Sequence, residues 1–382
     1  MVFLPRRDAS LPPLRPSVTG RDEIPTECLS ARGSSRPSLS DATLESGRVR
    51  LAEPERLAMV GDVLDGKYFL ERVIGEGGSG LVFRARRLAD GTSVAVKMLH
   101  ARHASNEVFA GALIREAAIA RRVELAGIPS YLDGGRLADG SPYVVFEHAE
   151  GESLARFARR LGGLRQREAI AIVMRVGEIL DGLHRHGVVH RDVKPEHILV
   201  CAGDTGRLDV KLIDLGTVTT REESLCIAKA NSGLAVGTPE YMAPEQAMGS
   251  HDADPRLDVY SLGVVLYQLL AGRMPYESSS RTSLLERLVT EDPPRLALVA
   301  PHVSLALDAA VSRAMGRQTI DRFATMGSLM AALKPFALER VQAEQRLYWL
   351  LAERPRHARR GRIIRSRASS PNLRLAKFVT NI

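Results

Sequence analysis

The chain has 382 residues, 45% of them apolar and 26% charged, with three separated cysteines, Cys28, Cys201 and Cys226. These proportions exclude a wholly disordered, collagenous or coiled-coil protein, and cysteines without a CxxC pair signal neither a disulfide framework nor a cysteine zinc site, which fits a reducing compartment. The net charge of +8 belongs to the end of the chain, because residues 354–382 hold nine Lys/Arg and no acid, whereas residues 1–60 set nine Arg against eight acids.

Residues 1–60 carry seven prolines, eight serines and a single aromatic, Phe3. Such a segment buries too little apolar area to offset the ordering of its backbone, so it is expected to be disordered. Pro5 interrupts MVFLPRRDASLPP before a signal-peptide core can form, and no apolar run approaches the roughly 18 residues of a membrane span. A cytoplasmic protein is expected.

Order is expected to begin near Lys67. YFLERVIG reads as a strand, GEGGSG as a turn, LVFRARRL as a second strand and, after Asp90-Gly91, TSVAVKML as a third. NEVFAGALIREAAIARRV then places Val108, Leu113, Ile114, Ala117, Ile119 and Ala120 at helical spacing. YLDGGRL and YVVFEH, joined at Asp139-Gly140, complete a five-stranded sheet with one helix. From about Gly151 long helical patterns take over, interrupted only by the short strands HILV and DVKLI. The expected organisation is a body over 61–336, with lobes at about 67–148 and 150–336. An amphipathic helix over 337–353 docks on the second lobe, and a basic, disordered tail follows over 354–382. That tail, lacking interleaved aromatics until Phe378, offers charge to an acidic partner, nucleic acid or a membrane surface.

Three groups of residues carry chemistry. Gly75-Glu76-Gly77-Gly78-Ser79-Gly80 is a GxGxxG set between two strands, which suits a hairpin lying over phosphates rather than a dinucleotide fold, where a helix would follow. Lys97 in VAVK has apolar neighbours, and a buried ammonium needs a partner, for which Glu116 on the following helix is the candidate. Further on, His190-Arg191-Asp192-Val193-Lys194-Pro195-Glu196-His197 precedes Asp214-Leu215-Gly216.

With these residues in order, and with GTPEYMAPEQ, DVYSLG and IDRF after them, the chain resembles the protein kinase superfamily from about Lys67 to Pro335, most closely the bacterial Ser/Thr kinases of eukaryotic type. The resemblance implies an α+β fold, a bilobal protein kinase architecture, and transfer of the ATP γ-phosphoryl group to protein hydroxyls with Mg2+ as the cation. It implies that Gly75 to Gly80, with Val82 and Ala95, enclose the nucleotide, and that Lys97, held by Glu116, engages its phosphates. Backbone groups of Glu147 and Ala149 meet the adenine. Asp192 takes the substrate proton, Lys194 neutralises the phosphoryl group and Asp214 binds the metal. Arg191 grips a phosphorylated loop residue, assigned to Ser232, while Thr238 bonds Asp192 and Lys194. Glu245, Asp258 and Arg322 are structural supports, and a homodimer is one further expectation. His197 departs from the family, which places asparagine there as a metal ligand; an imidazole can ligate Mn2+, act through a water, or only hydrogen-bond Asp192 and leave one metal bound weakly. Two readings follow, an active Ser/Thr kinase or a nucleotide-binding scaffold of pseudokinase type.

Overall fold

The computed structural model describes residues 59–353 except Ser79, Ala138, 216–218, 221–237 and His251, and gives the backbone alone for Thr219 and Thr220. The expected disorder of the N-terminal segment and of the 354–382 tail, and the assignment of Ser232, lie outside the described residues.

The first lobe is an antiparallel sheet of six strands rather than the expected five. They are β1 (Val63–Leu64), β2 (Tyr68–Glu76), β3 (Gly80–Arg87), β4 (Ser93–Leu99), β5 (Tyr131–Arg136) and β6 (Pro142–Glu147), in the order β1-β2-β3-β4-β6-β5. The extra strand comes from a two-residue turn at Asp65-Gly66, both at positive φ (52° and 66°), closed by the Lys67 amide on Leu64 O at 2.9 Å. Asp-Gly is a favoured pair for such a turn, so the hairpin has a signature in the sequence just ahead of Lys67.

Alternation along the strands gives the sheet two different faces. Phe83, Val94, Val96, Met98 and Tyr143 pack on one side with Leu70 and Val145. On the other side Leu99 and Val144 meet Leu113 of helix α1 (Glu107–Val123), and this is the side to which Val82, Ala95 and Lys97 belong. Asn106 caps α1 by accepting from the amides of Val108 and Phe109 at 3.0 and 3.4 Å. Two apolar positions expected to face inward do not, for Val108 is 74% and Ile114 48% exposed. The buried stripe runs through Leu113, Glu116, Ile119, Ala120 and Val123. Ile114 lies about 100° around the helix from Leu113, and Val108 lies in the first turn, beyond the sheet's cover.

In the second lobe, helices α2 (Leu154–Leu161), α3 (Gln166–Arg185), α4 (Pro244–Ala247), α5 (Arg256–Ala271), α6 (Arg281–Thr290), α7 (Leu296–Val299), α8 (Leu305–Ala314), α9 (Met326–Leu333) and α10 (Arg340–Ala352) share one apolar core. α5 is buried on nearly every side, as its mainly apolar sequence requires. Strands β7 (Gly151–Ser153), β9 (Ile198–Ala202) and β10 (Leu208–Leu212) form a small sheet in the order β10-β9-β7, and β8 (Val188–Val189) pairs with β11 (Thr219–Thr220). Among the described residues no helix is long and apolar enough to cross a membrane.

Helix α10 packs on α3 and on β9 and β10 through Ala343, Leu347 and Leu351. Its buried Glu344 is compensated by Arg175, at 2.9 and 3.1 Å, and by Arg340 at 2.8 Å. Leu347 is fully buried and Trp349 is 55% exposed on the same helix. Leu347→Ala should therefore cost about 2–5 kcal/mol in chemical denaturation, whereas Trp349→Ala should stay within about 1 kcal/mol. Equal costs would contradict this docking of the helix.

Candidate active site

The glycine segment joins β2 to β3. Gly75 and Glu76 end one strand, and the Gly77 amide donates to Gly80 O at 3.0 Å to close the hairpin. Gly80 begins the next strand so close to β4 that a Cβ there would run into the carbonyl of Met98. Ser79 lies outside the described residues. Val82 stands opposite Lys97 in the β3–β4 register, so Val82, Ala95 and Lys97 share the sheet face beneath this hairpin.

Lys97 Nζ lies between two carboxylates, 2.7 Å from Glu116 Oε2 and 2.8 Å from Asp214 Oδ1. Burial works against the ammonium, but Glu116 and Asp214 outweigh it and hold its pKa above the usual lysine range. Glu116 uses its other oxygen as well, accepting the Leu215 amide at 3.3 Å. The α1 carboxylate thus fixes both the lysine on the sheet and the backbone beside Asp214. The Lys97–Glu116 pair is the partnership expected for a lysine on a half-buried strand. The second partner, Asp214, is brought in from 117 positions along the chain.

The segment from His190 to His197 is held from beneath. Fully buried Asp258 of α5 accepts the amides of His190 and Arg191, each at 2.8 Å, and His184 Nε2 approaches it at 2.7 Å. Burial pushes the Asp258 carboxyl up, but these donors, His184 foremost, bring its pKa below the ordinary carboxylate range. Gln246 donates to Arg191 O at 3.0 Å. Arg191 and Asp214 both adopt left-handed backbone, with φ of 68° and 66°. Neither is glycine, and the surrounding hydrogen bonds offset the cost of that conformation. Gln246 closes the GTPEYMAPEQ motif, whereas His184 carries no sequence signal that separates it from an ordinary helix residue.

Above this platform Asp192 accepts from Lys194 Nζ at 2.7 Å and from the Thr238 amide at 3.2 Å, and Lys194 also donates to Thr238 Oγ1 at 2.6 Å. An acidic oxygen, an ammonium and a hydroxyl from three loop positions therefore meet in one cluster. Arg191 donates to the Ser250 carbonyl at 3.0 Å.

His197 donates through Nδ1 to the Asp192 carbonyl at 3.0 Å, which fixes the tautomer, since a carbonyl can only accept. Burial pulls the His197 pKa down to about 4 against the raising influence of Asp214 and Asp192. With Nδ1 turned to that carbonyl, the other ring nitrogen, Nε2, lies 3.3 Å from Asp214 Oδ2. An imidazole nitrogen and a carboxylate oxygen this close can share a cation. Among the described residues no group of three or more His, Cys, Asp or Glu side chains gathers as a metal site. A cation here would hold one carboxylate and one imidazole, its remaining positions being filled by water or a ligand.

At the junction of the lobes, Glu147 ends β6. Its amide donates to Ser130 O at 2.9 Å, and its carboxylate meets Lys211 at 3.3 Å. Ala149 O accepts from the Gly151 amide at 3.0 Å. His148 Nδ1 lies 3.2 Å from Ser93 Oγ, a bridge between the junction and β4 that the sequence does not advertise. Farther down, Glu245 and buried Arg322 form a two-pronged pair, both contacts at 2.7 Å. Arg322 also donates to the carbonyls of Gly316, Arg256 and Arg317.

Comparison with protein families matches residues 68–315 to the family described as protein kinase domain. The chain is 36% identical over 290 residues to serine/threonine-protein kinase pkn3 of Myxococcus xanthus, covering 75% of this chain and 53% of that protein. It is 38% identical over 268 residues to serine/threonine-protein kinase PknE of Mycobacterium tuberculosis, covering 70% of this chain and 45% of that protein. Over the same length it is 34% identical to PknH of that organism, covering 41% of the latter. The chain thus spans about half the length of these curated relatives.

The Glu245–Arg322 pair makes a stability prediction. Glu245→Ala leaves a buried guanidinium with carbonyl acceptors but no countercharge, which should cost about 3–5 kcal/mol in equilibrium denaturation. A cost below about 1 kcal/mol would show that the carbonyls alone suffice.

Proposed function

The chain belongs to the protein kinase family, among bacterial Ser/Thr kinases of eukaryotic type, and on that premise we propose that it transfers the γ-phosphoryl group of ATP to Ser and Thr hydroxyls of proteins. The observation that carries this reading is the completed chain of contacts from Glu116 through Lys97 to Asp214, beside the Asp192–Lys194–Thr238 cluster. Phosphoryl transfer asks a protein mainly for positioning and charge stabilisation.

In this reading the hairpin from Gly75 to Gly80 covers the phosphates, with Val82 and Ala95 beneath it, and Lys97 binds phosphate oxygens. The junction at Glu147 and Ala149 receives the adenine. With Ala149 O already accepting from Gly151, the Ala149 amide is the group assigned to the base. Asp192 orients the substrate hydroxyl and takes its proton, and Lys194, already on Asp192 Oδ2, lies where it can stabilise the transferred phosphoryl group. Thr238, in bonding both, holds them in register.

Family membership implies ATP and a divalent cation. Asp214 and His197 are the residues that would hold it, and when bound it supplies neutralisation of charge on the phosphates. Like the asparagine amide that the family places there, His197 offers two polar ends, with an N–H for the loop carbonyl and a second ring nitrogen 3.3 Å from Asp214. An imidazole nitrogen suits manganese better than magnesium, so Mn2+ is the cation this pair favours. We assign autophosphorylation to Ser232, with Arg191 as the partner of the phosphate. A cytoplasmic setting accords with the reducing compartment to which the cysteine usage points.

The test is phosphate incorporation by the full chain into itself and into a Ser/Thr-bearing protein, with Mg2+ and with Mn2+. Asp192→Asn should lower the rate by about 100-fold or more, the scale of general-base removal. His197→Asn should shift the preference from Mn2+ toward Mg2+, both in rate and in direct Mn2+ binding followed by electron paramagnetic resonance. A wild-type protein that binds nucleotide yet transfers no phosphate with either cation, and gains transfer in His197→Asn, would instead establish a nucleotide-binding scaffold.

A further inference from the structure

Between β4 and α1 the chain makes one 3-10 turn, Ala101–His103, and this turn reaches back to the glycine hairpin. His100 Nε2 lies 2.9 Å from Gly77 O, and Arg102 Nη2 lies 3.3 Å from Gly78 O. Carbonyls only accept, so both side chains are donors, and His100 carries its proton on Nε2. The turn is itself anchored. The His103 amide donates to His100 O at 2.8 Å, Arg102 Nε donates to His103 Nε2 at 3.2 Å, and the His103 ring lies on Phe109 of α1 with centroids 4.1 Å apart.

The sides of the sheet give these contacts a direction. His100 is extended, with φ −64° and ψ 150°, so the alternation of β4 continues through it. Lys97 and Leu99 belong to the α1 side, whereas Met98 and His100 belong to the opposite side. A trans peptide directs its N–H opposite to its C=O. With Gly77 O drawn toward His100, the amide of Gly78 is turned toward the Lys97 side, where a phosphate bound by Lys97 would lie.

We propose that His100 and Arg102 are positioning residues for nucleotide binding. They fix the Gly77 and Gly78 carbonyls outward so that the hairpin presents its amide to the phosphates of a nucleoside triphosphate already ordered. This rests on the kinase reading of the site. A flexible glycine segment loses conformational freedom when it closes on a ligand, and ordering it beforehand strengthens binding. Both side chains act on hairpin carbonyls and not on the Asp192 cluster, so the effect falls on nucleotide affinity and leaves the transfer step itself nearly unchanged. Because the turn also leans on Phe109, the same bracket links the hairpin to the helix that carries Glu116.

The experiment uses the full chain with His100→Ala, Arg102→Ala and the double variant, followed by dissociation of a fluorescent ADP analogue in Mn2+, ATP steady-state kinetics and thermal melting. The double variant should bind the analogue about tenfold more weakly and raise KM for ATP by a similar factor, the scale of one or two lost hydrogen bonds. Its kcat should fall by less than about threefold, and its melting temperature should stay within about 2 °C of the wild type, as for exposed substitutions. His100→Gln, which restores an N–H donor, should recover most of the affinity lost in His100→Ala. Unchanged affinity and KM in the double variant, or failure of glutamine to restore what alanine removes, would overturn the proposal while leaving the kinase reading intact. A wild-type chain that binds neither the analogue nor ATP would overturn both.

Discussion

The largely covered ammonium of Lys97 organises the structure. Lys97 sits on a sheet whose opposite face is largely core, and it remains charged there because two carboxylates arrive from elsewhere, Glu116 on α1 and Asp214 beyond β10. Removing water from such a charge is costly unless its partners are close and well oriented. The packing of α1 on the sheet and the approach of the second lobe's loop are therefore conditions for burying Lys97. Glu116 meets the loop twice, through Lys97 and through the Leu215 amide, so the first lobe's helix fixes a loop of the second lobe.

The loop that carries Asp192 is prepared in a different way. Its backbone adopts conformations that non-glycine residues rarely hold, and the stabilisation comes from polar groups deep in the helical lobe. Asp258 accepts two successive amides, Gln246 takes the Arg191 carbonyl, and Arg322 ties α4 to the body through Glu245. Each of these supports is buried or nearly so; Asp258, Gln246 and Glu245 sit on helices, and Arg322 follows a 3-10 turn. Rigid elements thus carry the reacting groups' positions while the groups themselves stay on loops, which is how precise sites are built.

How much of this is legible in the sequence depends on the range of the interaction. Lys97 can be read as special because an ammonium among apolar strand residues demands a countercharge, and Glu116 follows because the next helix must pack on that strand. Asp214 as the second countercharge is not legible, since nothing local joins residues 117 positions apart. The β1 hairpin has its Asp-Gly signature, yet its strand is only two residues long and lies ahead of the longer pattern. Val108 and Ile114 satisfy a helical period but fall outside the sector that the sheet covers, because periodicity gives spacing and not the width of the partner. His100 and His184 look like ordinary surface histidines in sequence, since their partners are a backbone carbonyl and a carboxylate 74 residues away respectively.

The glycines of the Gly75 to Gly80 hairpin answer to different demands. At Gly77 and Gly78 a methyl group would meet nothing, and at Gly75 it would make ordinary contact with Val82. At Gly80 it would collide with the backbone of β4. The first three are steric luxuries of the protein alone and become necessities only when something lies against the hairpin. Gly80 is a necessity of the sheet whether or not a ligand ever arrives. One short motif therefore meets two separate physical demands, one set by the fold and one by what the fold holds.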